Sequence, residues 1–220
     1  MGQVLLVRHG QASWGAEDYD ALSETGWEQS RLLGRALAGR GVEATFVVHG
    51  SMRRHRETAE AAGLAEQATV DAGWDEFDHL EMLGAVPSPV AGRSPSPAEF
   101  QAWFETATDR WTGGDHDAGY EETFDAFGDR VAAALRRTTE AVGSGTAVVL
   151  TSGGPTSWAV ATLLGADLER EARVQLWRRL NRVCVNSGVT KVVTGRHGLT
   201  LVSFNEHTHL EPRPDLLTYR

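Results

Sequence analysis

The chain has 220 residues, which is enough for one domain, or for one domain with a modest insertion. Hydrophobic residues make up 41% of it and charged residues 23%, so its composition excludes general disorder, a coiled coil and a disulfide-rich miniprotein. The formal net charge is −9, and an acidic surface repels phosphate backbones, so we expect no nucleic-acid partner.

Apolar runs and cysteine usage indicate the compartment in which the protein works. No apolar segment follows a basic start, as a signal peptide requires, and no run approaches the ~18 apolar residues of a membrane span. Cys184 is the only cysteine, so an intramolecular disulfide is impossible, which fits a reducing compartment. We therefore expect a cytoplasmic protein with no membrane partner.

Short apolar runs alternate with amphipathic segments along the chain. Val4 to Val7 is a continuous apolar run that suits a strand buried on both faces, as in a parallel sheet. Further strands are predicted at Ala44 to His49, Ala68 to Val70 and Ala147 to Leu150, and a terminal hairpin at Val189 to Val193 and Leu199 to Phe204. Helices are predicted from a capping box at Thr25 to Glu28 as far as Gly39 or Gly41, and over Arg54 to Ala65, 97–111, Phe124 to Val142, Ser157 to Leu164 and Leu168 to Leu180.

This order of elements predicts an α/β fold. We expect one three-layer α/β/α domain over 1–220, with a mostly parallel central sheet covered on both faces and a C-terminal hairpin. Residues 84–118, which begin with a proline-rich loop, predict a helical insertion or lid above the sheet. Ligands in such folds bind at the carboxyl ends of the strands, so functional residues should follow positions 7, 49, 70 and 150.

The run Arg8-His9-Gly10-Gln11 directly follows the first predicted strand. The arginine supplies a fork of donors that matches phosphate, and the glycine lets backbone approach a ligand closely. Leu-Val-Arg-His-Gly at a strand exit resembles the histidine phosphatase superfamily, which is also called phosphoglycerate mutase-like. The resemblance implies that His9 is the nucleophile and that Arg8, Gly10 and Gln11 bind the substrate.

A second stretch, Gly50 to Ala59, follows the second strand and is similar to the family's Ser-Pro-Leu-x-Arg-x-x-x-Thr-Ala. Arg54 lies four residues before Thr58, so the resemblance implies that Arg54 binds phosphate. Arg53 and Arg56 are expected to be solvated.

A third stretch, Trp74-Asp75-Glu76-Phe77, follows the third predicted strand. The family has its proton donor, a glutamate, at this place. The resemblance therefore implies that Glu76 is the proton donor, with Asp75 and Asp78 as competitors.

One departure from the family pattern concerns the end of the late core strand. The family has Val-Ser-His-Gly-Gly there, and the histidine of this motif is the family's second catalytic histidine. In this chain the stretch is Leu150 to Pro155, and Ser152 stands where that histidine would be. A hydroxyl donates one hydrogen bond but never carries the charge of an imidazolium. Gly153 and the start of the following helix still offer backbone N–H donors, so Ser152 and Gly153 are predicted to bind phosphate.

The mechanism that the resemblance implies is covalent and needs neither a metal nor a cofactor. Neutral His9 attacks phosphorus in line, Arg8 and Arg54 neutralise the phosphoryl oxygens, and protonated Glu76 gives its proton to the leaving alkoxide. The two arginines should lower the pKa of His9. We expect a phosphomonoester hydrolase that acts on a small phosphorylated metabolite through a phosphohistidine. The sequence leaves the substrate and the oligomeric state open.

Other functions remain as alternatives at this stage. Loss of the second histidine would suit a pseudo-enzyme that binds a phospho-ligand without turnover. A phosphoglycerate mutase-type phosphotransferase is a further alternative, although the chain shows no obvious extra lid to exclude water. Ser152 as the nucleophile of a serine hydrolase fits poorly, because Gly-x-Ser-x-Gly fails at Leu150.

Several histidines are not assigned to catalysis. Asn205 with His209-Leu210 is similar to the family's closing Asn and His-Leu. His207 and His209 could share a strand face for a metal, but with only Glu206 beside them we interpret them as part of a terminal loop or pocket wall. Three more histidines flank predicted strand ends and line either the pocket or the surface, namely His49, His55 and His79.

Overall fold

The computed structural model describes residues 2–13, 20–196 and 198–219. These residues form six strands and seven α-helices. The strands are β1 (Gln3–Arg8), β2 (Phe46–His49), β3 (Ala68–Val70), β4 (Thr146–Thr151), β5 (Val189–Gly195) and β6 (Gly198–Glu206). The helices are α1 (Glu24–Gly39), α2 (Arg53–Ala61), α3 (His79–Gly84), α4 (Pro97–Gly113), α5 (Phe124–Val142), α6 (Gly153–Leu164) and α7 (Arg170–Val183).

All six strands belong to one mixed sheet with the order β3-β2-β4-β1-β5-β6. The pairs β3–β2, β2–β4 and β4–β1 are parallel, whereas β1–β5 and β5–β6 are antiparallel. The predicted α/β class, the mostly parallel centre and the C-terminal hairpin are therefore confirmed. Because β2, β4 and β1 are parallel neighbours, their carboxyl ends meet at one edge of the sheet.

The central part of β1 is an unbroken apolar run because its side chains are buried on both faces of the sheet. Leu5 and Val7 point to one face, where they pack in a buried cluster with Leu33 and Leu37 of α1. The alternate residues of the strand, Val4 and Leu6, are also fully buried. Since successive side chains of a strand point to opposite faces, both faces of the sheet are covered.

Three predicted element boundaries are wrong at their ends. The cap of α1 is Ser23 and not Thr25, because the Ser23 side chain accepts the hydrogen bond from the N–H of Gly26. Helix α2 ends four residues earlier than predicted, just before Gly63, which adopts a φ of +72°. Helix α6 begins at Gly153, directly after β4, and not at Ser157.

Helix α4 begins at a capping box, in which Ser96 and Glu99 bond each other's backbone N–H, and has Pro97 in its first turn. Helix α3 was not predicted, because its six residues are too few to show a helical period.

The chain divides into two compact units, Met1–Glu76 with Val131–Arg220, and Phe77–Arg130. The second unit holds α3, α4 and the first residues of α5 around an aromatic cluster, in which Trp111 contacts Phe124 and Phe127. The predicted insertion 84–118 lies within this unit, and its role as a lid stays a prediction. All the residues of the candidate site lie in the first unit.

Candidate active site

His9 is the first residue after β1 and is buried, with 6% of its surface exposed. Its Nδ1 lies 2.6 Å from the carbonyl oxygen of Gly10, and its Nε2 accepts a hydrogen bond of 3.2 Å from Nε of Arg54. These contacts fit a neutral ring with the proton on Nδ1 and a lone pair on Nε2. Burial, followed by the charges of Arg54 and Arg8, lowers the pKa of His9 well below 6.5. The ring is thus held in its neutral form, and its role as the nucleophile stays a prediction.

Arg54 projects from the first turn of α2 and is buried, although it is an arginine. Its Nε bonds His9, and its Nη1 donates to Oδ1 of Asp20 at 2.6 Å. The other oxygen of Asp20 accepts from the backbone N–H of Arg53 at the start of α2. Asp20 therefore fixes the guanidinium beside His9, with donors in a fork that matches a phosphoryl group.

Arg8 is the last residue of β1, and its guanidinium contacts the C-terminal part of the chain. Its Nη1 donates to the carbonyl oxygens of Cys184 and Tyr219. Its Nε is buried and has no hydrogen-bond partner among the described residues. A Cβ at Gly153 would lie 3.6 Å from this Nε, so the unused donor faces the start of α6. A buried donor requires an acceptor, and a phosphoryl oxygen would supply it.

The end of β4 and the start of α6 bring Ser152 and Glu76 close together. Ser152 is fully buried and is the residue directly before α6. The backbone N–H of Gly154, in the first turn of that helix, donates to Oε2 of Glu76 at 3.1 Å. Glu76, the predicted proton donor, thus contacts the positive end of α6, at a backbone N–H two residues after Ser152.

His55 follows Arg54 in α2, and its imidazole is fully buried. Its Nε2 lies 2.7 Å from Oγ of Ser152, and its Nδ1 lies 3.9 Å from Oδ1 of Asp75. The ring centroids of His9 and His55 are 5.7 Å apart. Burial, followed by the charge of Arg54, lowers the pKa of His55 well below 6.5. The structure therefore places His55 inside the site, and the surface interpretation of this residue is dropped.

Gly10 and Gln11 serve the packing of β1 against α1. A Cβ at Gly10 would lie 2.4 Å from the carbonyl oxygen of Gly26, so the close approach that requires glycine is to the helix backbone. The side-chain Oε1 of Gln11 accepts from Oγ of Ser23, the cap of α1. Their roles as substrate ligands stay predictions.

The two competitors of Glu76 have other partners. Asp75 accepts hydrogen bonds of 2.5 Å from both the backbone N–H and the hydroxyl of Ser51. Asp78 caps α3 through the backbone N–H groups of Leu80 and Glu81. Glu76 is the carboxylate of this stretch whose described contact is with α6.

The C-terminal histidines contact neighbouring protein groups. Nε2 of His209 lies 2.8 Å from Oγ of Ser187, and Nδ1 of His207 lies 2.7 Å from the carbonyl oxygen of Asn205. The backbone N–H of Ser187 in turn donates to the carbonyl oxygens of Arg8 and His9, so this segment supports the exit of β1. Within the described ranges, no group of three or more His, Cys, Asp or Glu side chains is placed to hold a metal ion.

Two residues of the site carried no role in the sequence analysis. Asp20 lies in a loop, and no sequence pattern connects it with Arg54. Thr58 lies one helical turn after Arg54, where its hydroxyl donates to the carbonyl of Arg54 and accepts from the N–H of Gly10. The four-residue spacing was the available signal, because it places both residues on one helix face. In sequence, Ser13 and the Trp14-Gly15-Ala16 segment also differ from the asparagine-containing segment expected from the family resemblance, and Trp14-Gly15-Ala16 lies outside the described residues.

Comparisons with known proteins find solved structures with the same fold. The chain is similar in structure to phosphoserine phosphatase from Entamoeba histolytica, as a mutant in complex with phosphoserine (17% identity, TM-score 0.69, 96% of this chain and 100% of that one) and in complex with 3-phosphoglyceric acid (19%, 0.68, 96% and 100%). It is also similar to phosphoglycerate mutase from Bacillus anthracis str. Sterne (20%, 0.64, 94% and 94%). No curated protein matches the chain in sequence. In the described part of the chain, no helix has the length and apolar character needed to cross a membrane.

These likenesses, at no more than 20% identity, establish the fold alone. The family follows from the sequence: the family model of the histidine phosphatase superfamily (branch 1) matches residues 4–207, nearly the whole chain. The chain therefore belongs to the histidine phosphatase superfamily, whose solved relatives include phosphatases and mutases.

Proposed function

We propose that this chain hydrolyses phosphomonoesters through a phosphohistidine on His9. One observation carries the proposal: a buried imidazole has its proton directed to the Gly10 carbonyl and its Nε2 lone pair directed to a guanidinium. A phosphoryl group entering between His9 and Arg54 would exchange that hydrogen bond for in-line contact with Nε2 and with the guanidinium. Because the pKa of His9 is lowered, its ring stays unprotonated and nucleophilic well into mildly acidic solution.

The proposed reaction has two steps. In the first, Nε2 of His9 forms a bond to phosphorus, the ester P–O bond breaks, and the leaving alkoxide takes a proton from Glu76. In the second, a water loses a proton to the Glu76 carboxylate and attacks phosphorus, and the P–N bond breaks. The products are an alcohol and inorganic phosphate, and His9 returns to its neutral form.

Arginines supply the positive charge that this mechanism needs. A loose phosphoryl transition state carries its charge on the three equatorial oxygens. Arg54 and Nε of Arg8 are the donors placed to face them, and the start of α6 adds backbone N–H groups. The proposed mechanism therefore uses no metal ion and no cofactor.

A small phosphorylated metabolite is the proposed substrate. The relatives crystallised with phosphoserine and with 3-phosphoglyceric acid support this class, because each of those ligands is a small acid that carries one phosphate ester. The net charge of −9 supports the exclusion of nucleic acids from the substrates. The single cysteine, Cys184, is buried and unpaired, which supports a reducing compartment, the cytoplasm.

The test is trapping of the covalent intermediate. Wild-type protein is mixed with a panel of ³²P-labelled phosphomonoesters and quenched in alkaline detergent, which preserves phosphohistidine. We expect label that survives base and is lost in acid, and no label in His9→Ala. His49→Ala is the matched control, because His49 is the last residue of β2, is buried, and contacts the next carbonyl through Nδ1 at 2.6 Å, as His9 does directly after β1. We expect this control to be labelled.

Two results would contradict the proposal. Label retained in His9→Ala would place the nucleophile elsewhere. Absence of both label and turnover across the panel, with inorganic phosphate still raising the Tm, would support a phospho-ligand binder instead.

A further inference from the structure

The second buried imidazole of the site, His55, has a surrounding built to hold it. Gly50, at the end of β2, leaves the space for this ring, because a Cβ there would lie 2.3 Å from Nδ1 of His55. Beyond that space lies the carboxylate of Asp75, which is fixed by two hydrogen bonds from Ser51. Nε2 of the ring has the Ser152 hydroxyl as its hydrogen-bond partner, whereas the buried Nδ1 has no hydrogen-bond partner among the described residues and lies 3.9 Å from this carboxylate.

The contacts of the ring also determine its proton. A carboxylate oxygen 3.9 Å from Nδ1 attracts an N–H and repels a lone pair, so Nδ1 carries hydrogen. Nε2 of the neutral ring therefore accepts from the hydroxyl of Ser152 at 2.7 Å. If the ring gains a proton, Nε2–H donates to Oγ, and the Ser152 hydroxyl becomes free to donate elsewhere.

Charged groups from every neighbouring element act on this equilibrium. Arg54 on α2 and His49 on β2 oppose a positive charge on His55, as does burial, and together they lower its pKa. The ring of His9, which follows β1, has its centroid 5.7 Å from that of His55. The carboxylate of Asp75, 3.9 Å from Nδ1, favours the protonated form of His55. A phosphoryl dianion beside the ring would add two negative charges and favour the imidazolium.

We propose that His55 and Ser152 act as one unit at the phosphoryl group, with the Ser152 hydroxyl donating to a phosphoryl oxygen and the His55 imidazole holding the balancing proton. The inference rests on the proposed function. It assigns to an imidazole from α2 the charge that the Ser152 hydroxyl cannot carry. His55 acts through Ser152 and is therefore a positioning residue.

The proton transfer is balanced. A monoanionic phosphate ester, whose second pKa lies near 6, passes the hydrogen of its P–O–H group to Oγ of Ser152 as Oγ passes its own hydrogen to Nε2 of His55. One O–H bond breaks on the ester and one N–H bond forms on the ring. The ester is then a dianion that accepts from Ser152, and the transfer reverses when phosphate leaves.

Asp75, His55 and Ser152 are neighbours in space in the arrangement Asp–His–Ser of a serine-hydrolase triad. Their geometry disfavours nucleophilic attack by Ser152. The separation of 3.9 Å between Asp75 and His55 is too long for a hydrogen bond. Asp75 is already bonded to Ser51, and Ser152 is fully buried. A labelling experiment with a fluorophosphonate probe decides this point directly.

The variants His55→Gln, Ser152→Ala and their double variant test the unit with para-nitrophenyl phosphate as substrate. We expect each single variant to lower kcat by on the order of 10²-fold with little change in KM, as for loss of a donor to the transition state. The double variant should be no slower than the worse single one, because both remove the same unit. Arg56→Ala, an exposed neighbour in α2, is the control and should keep wild-type kinetics.

Moving the imidazole provides a stronger test. Ser152→His alone should be inactive, since its ring would enter the space that His55 fills 2.7 Å away. His55→Ala alone should be slow, and the double variant His55→Ala/Ser152→His should recover at least ~10-fold in kcat over it. Wild-type kcat in His55→Gln, with His9→Ala inactive, would overturn the inference and leave the proposed function standing.

A measurement on the wild-type protein covers the case in which variants misfold. Imidazole ¹⁵N shifts of His55 should change from the neutral to the charged form on saturation with inorganic phosphate at pH 7. Unchanged shifts would overturn the inference. Fluorophosphonate labelling that is lost in Ser152→Ala would overturn it in favour of a serine hydrolase, and absence of any phosphatase turnover would overturn it together with the proposed function.

Discussion

Replacing Arg54 by alanine removes the cation that touches the proposed nucleophile. Its Nη1 is held by Asp20, whereas its Nε, once released from His9, and its Nη2 could both donate to a bound phosphoryl group. Hydrogen bonds to charged groups contribute about 1.5–3 kcal/mol each, so the two together are worth about 3–6 kcal/mol, or ~10²–10⁴ in affinity. Arg54→Ala should therefore weaken orthovanadate binding by at least ~100-fold.

Arg53→Ala is the matched control, because it removes the same side chain from the preceding position of α2. The Arg53 side chain is 46% exposed and pairs with Glu57 four residues later in the same helix. Because this half-exposed charge is screened by solvent and salt, its loss should change vanadate affinity by less than ~3-fold. Isothermal titration calorimetry at fixed ionic strength measures both variants.

The same substitution should also shift the titration of His9. Arg54 is, after burial, the largest cause of the lowered pKa of His9. Its removal should raise that pKa toward 6.5, which an NMR titration of the imidazole detects, whereas Arg53→Ala should leave it unchanged. Equal losses of vanadate affinity in the two variants, or an unshifted His9 titration in Arg54→Ala, would refute the assignment of Arg54 as the phosphate clamp.

Three further predictions follow from the contacts of the site. Glu76→Gln should lower kcat for alkyl phosphates by about 10²–10⁴-fold. The loss should be much smaller for para-nitrophenyl phosphate, because its leaving group needs no proton. Equal losses of kcat for the two substrates would exclude Glu76 as the proton donor. Thr58→Val leaves the buried N–H of Gly10 without its acceptor and should cost about 1–3 kcal/mol in urea unfolding, whereas Thr58→Ser should cost far less. His9, His55 and His209 have lowered pKa values, to about 4 for His209, so below about pH 6.5 the unfolded chain binds protons that the folded chain does not. Stability should thus fall as pH drops from about 6.5 toward 4, and less steeply in His209→Asn, with an unaltered slope counting against this explanation.

Many residues of the candidate site could be predicted because short apolar runs reveal the strands, and therefore also the residues at which the strands end. Arg8 with His9, Glu76 and Ser152 each follow an apolar run or a short strand, and the parallel order of the central strands brings these exits together. The apolar run of β1 also predicts the strand that the structure shows, since its central residues are buried. The apolar residues of α5 recur with helical spacing over 19 residues, which is long enough for the pattern to predict the helix.

Helix α2 shows why the rest could not be predicted. Its buried residues are mostly polar or charged, namely Arg54, His55, Glu57, Thr58 and Ala59. Hydropathy places such side chains at the surface, so the pattern gives the wrong face of the helix. The partners that make their burial tolerable, Asp20 and Ser152, are distant in sequence. Only the folded chain reveals these pairs.

The contact between Arg8 and the C-terminal segment has a consequence for the order of folding events. Arg8 bonds carbonyls 176 and 211 residues later, and Gln29 of α1 donates to Leu216 and Thr218. Contacts this far apart in sequence close late, because the loop entropy must be lost before they can form. Recovery of the proposed phosphatase activity after dilution from urea should therefore lag behind recovery of helical circular dichroism, since Arg8, next to the proposed nucleophile, reaches its place only when the last segment docks.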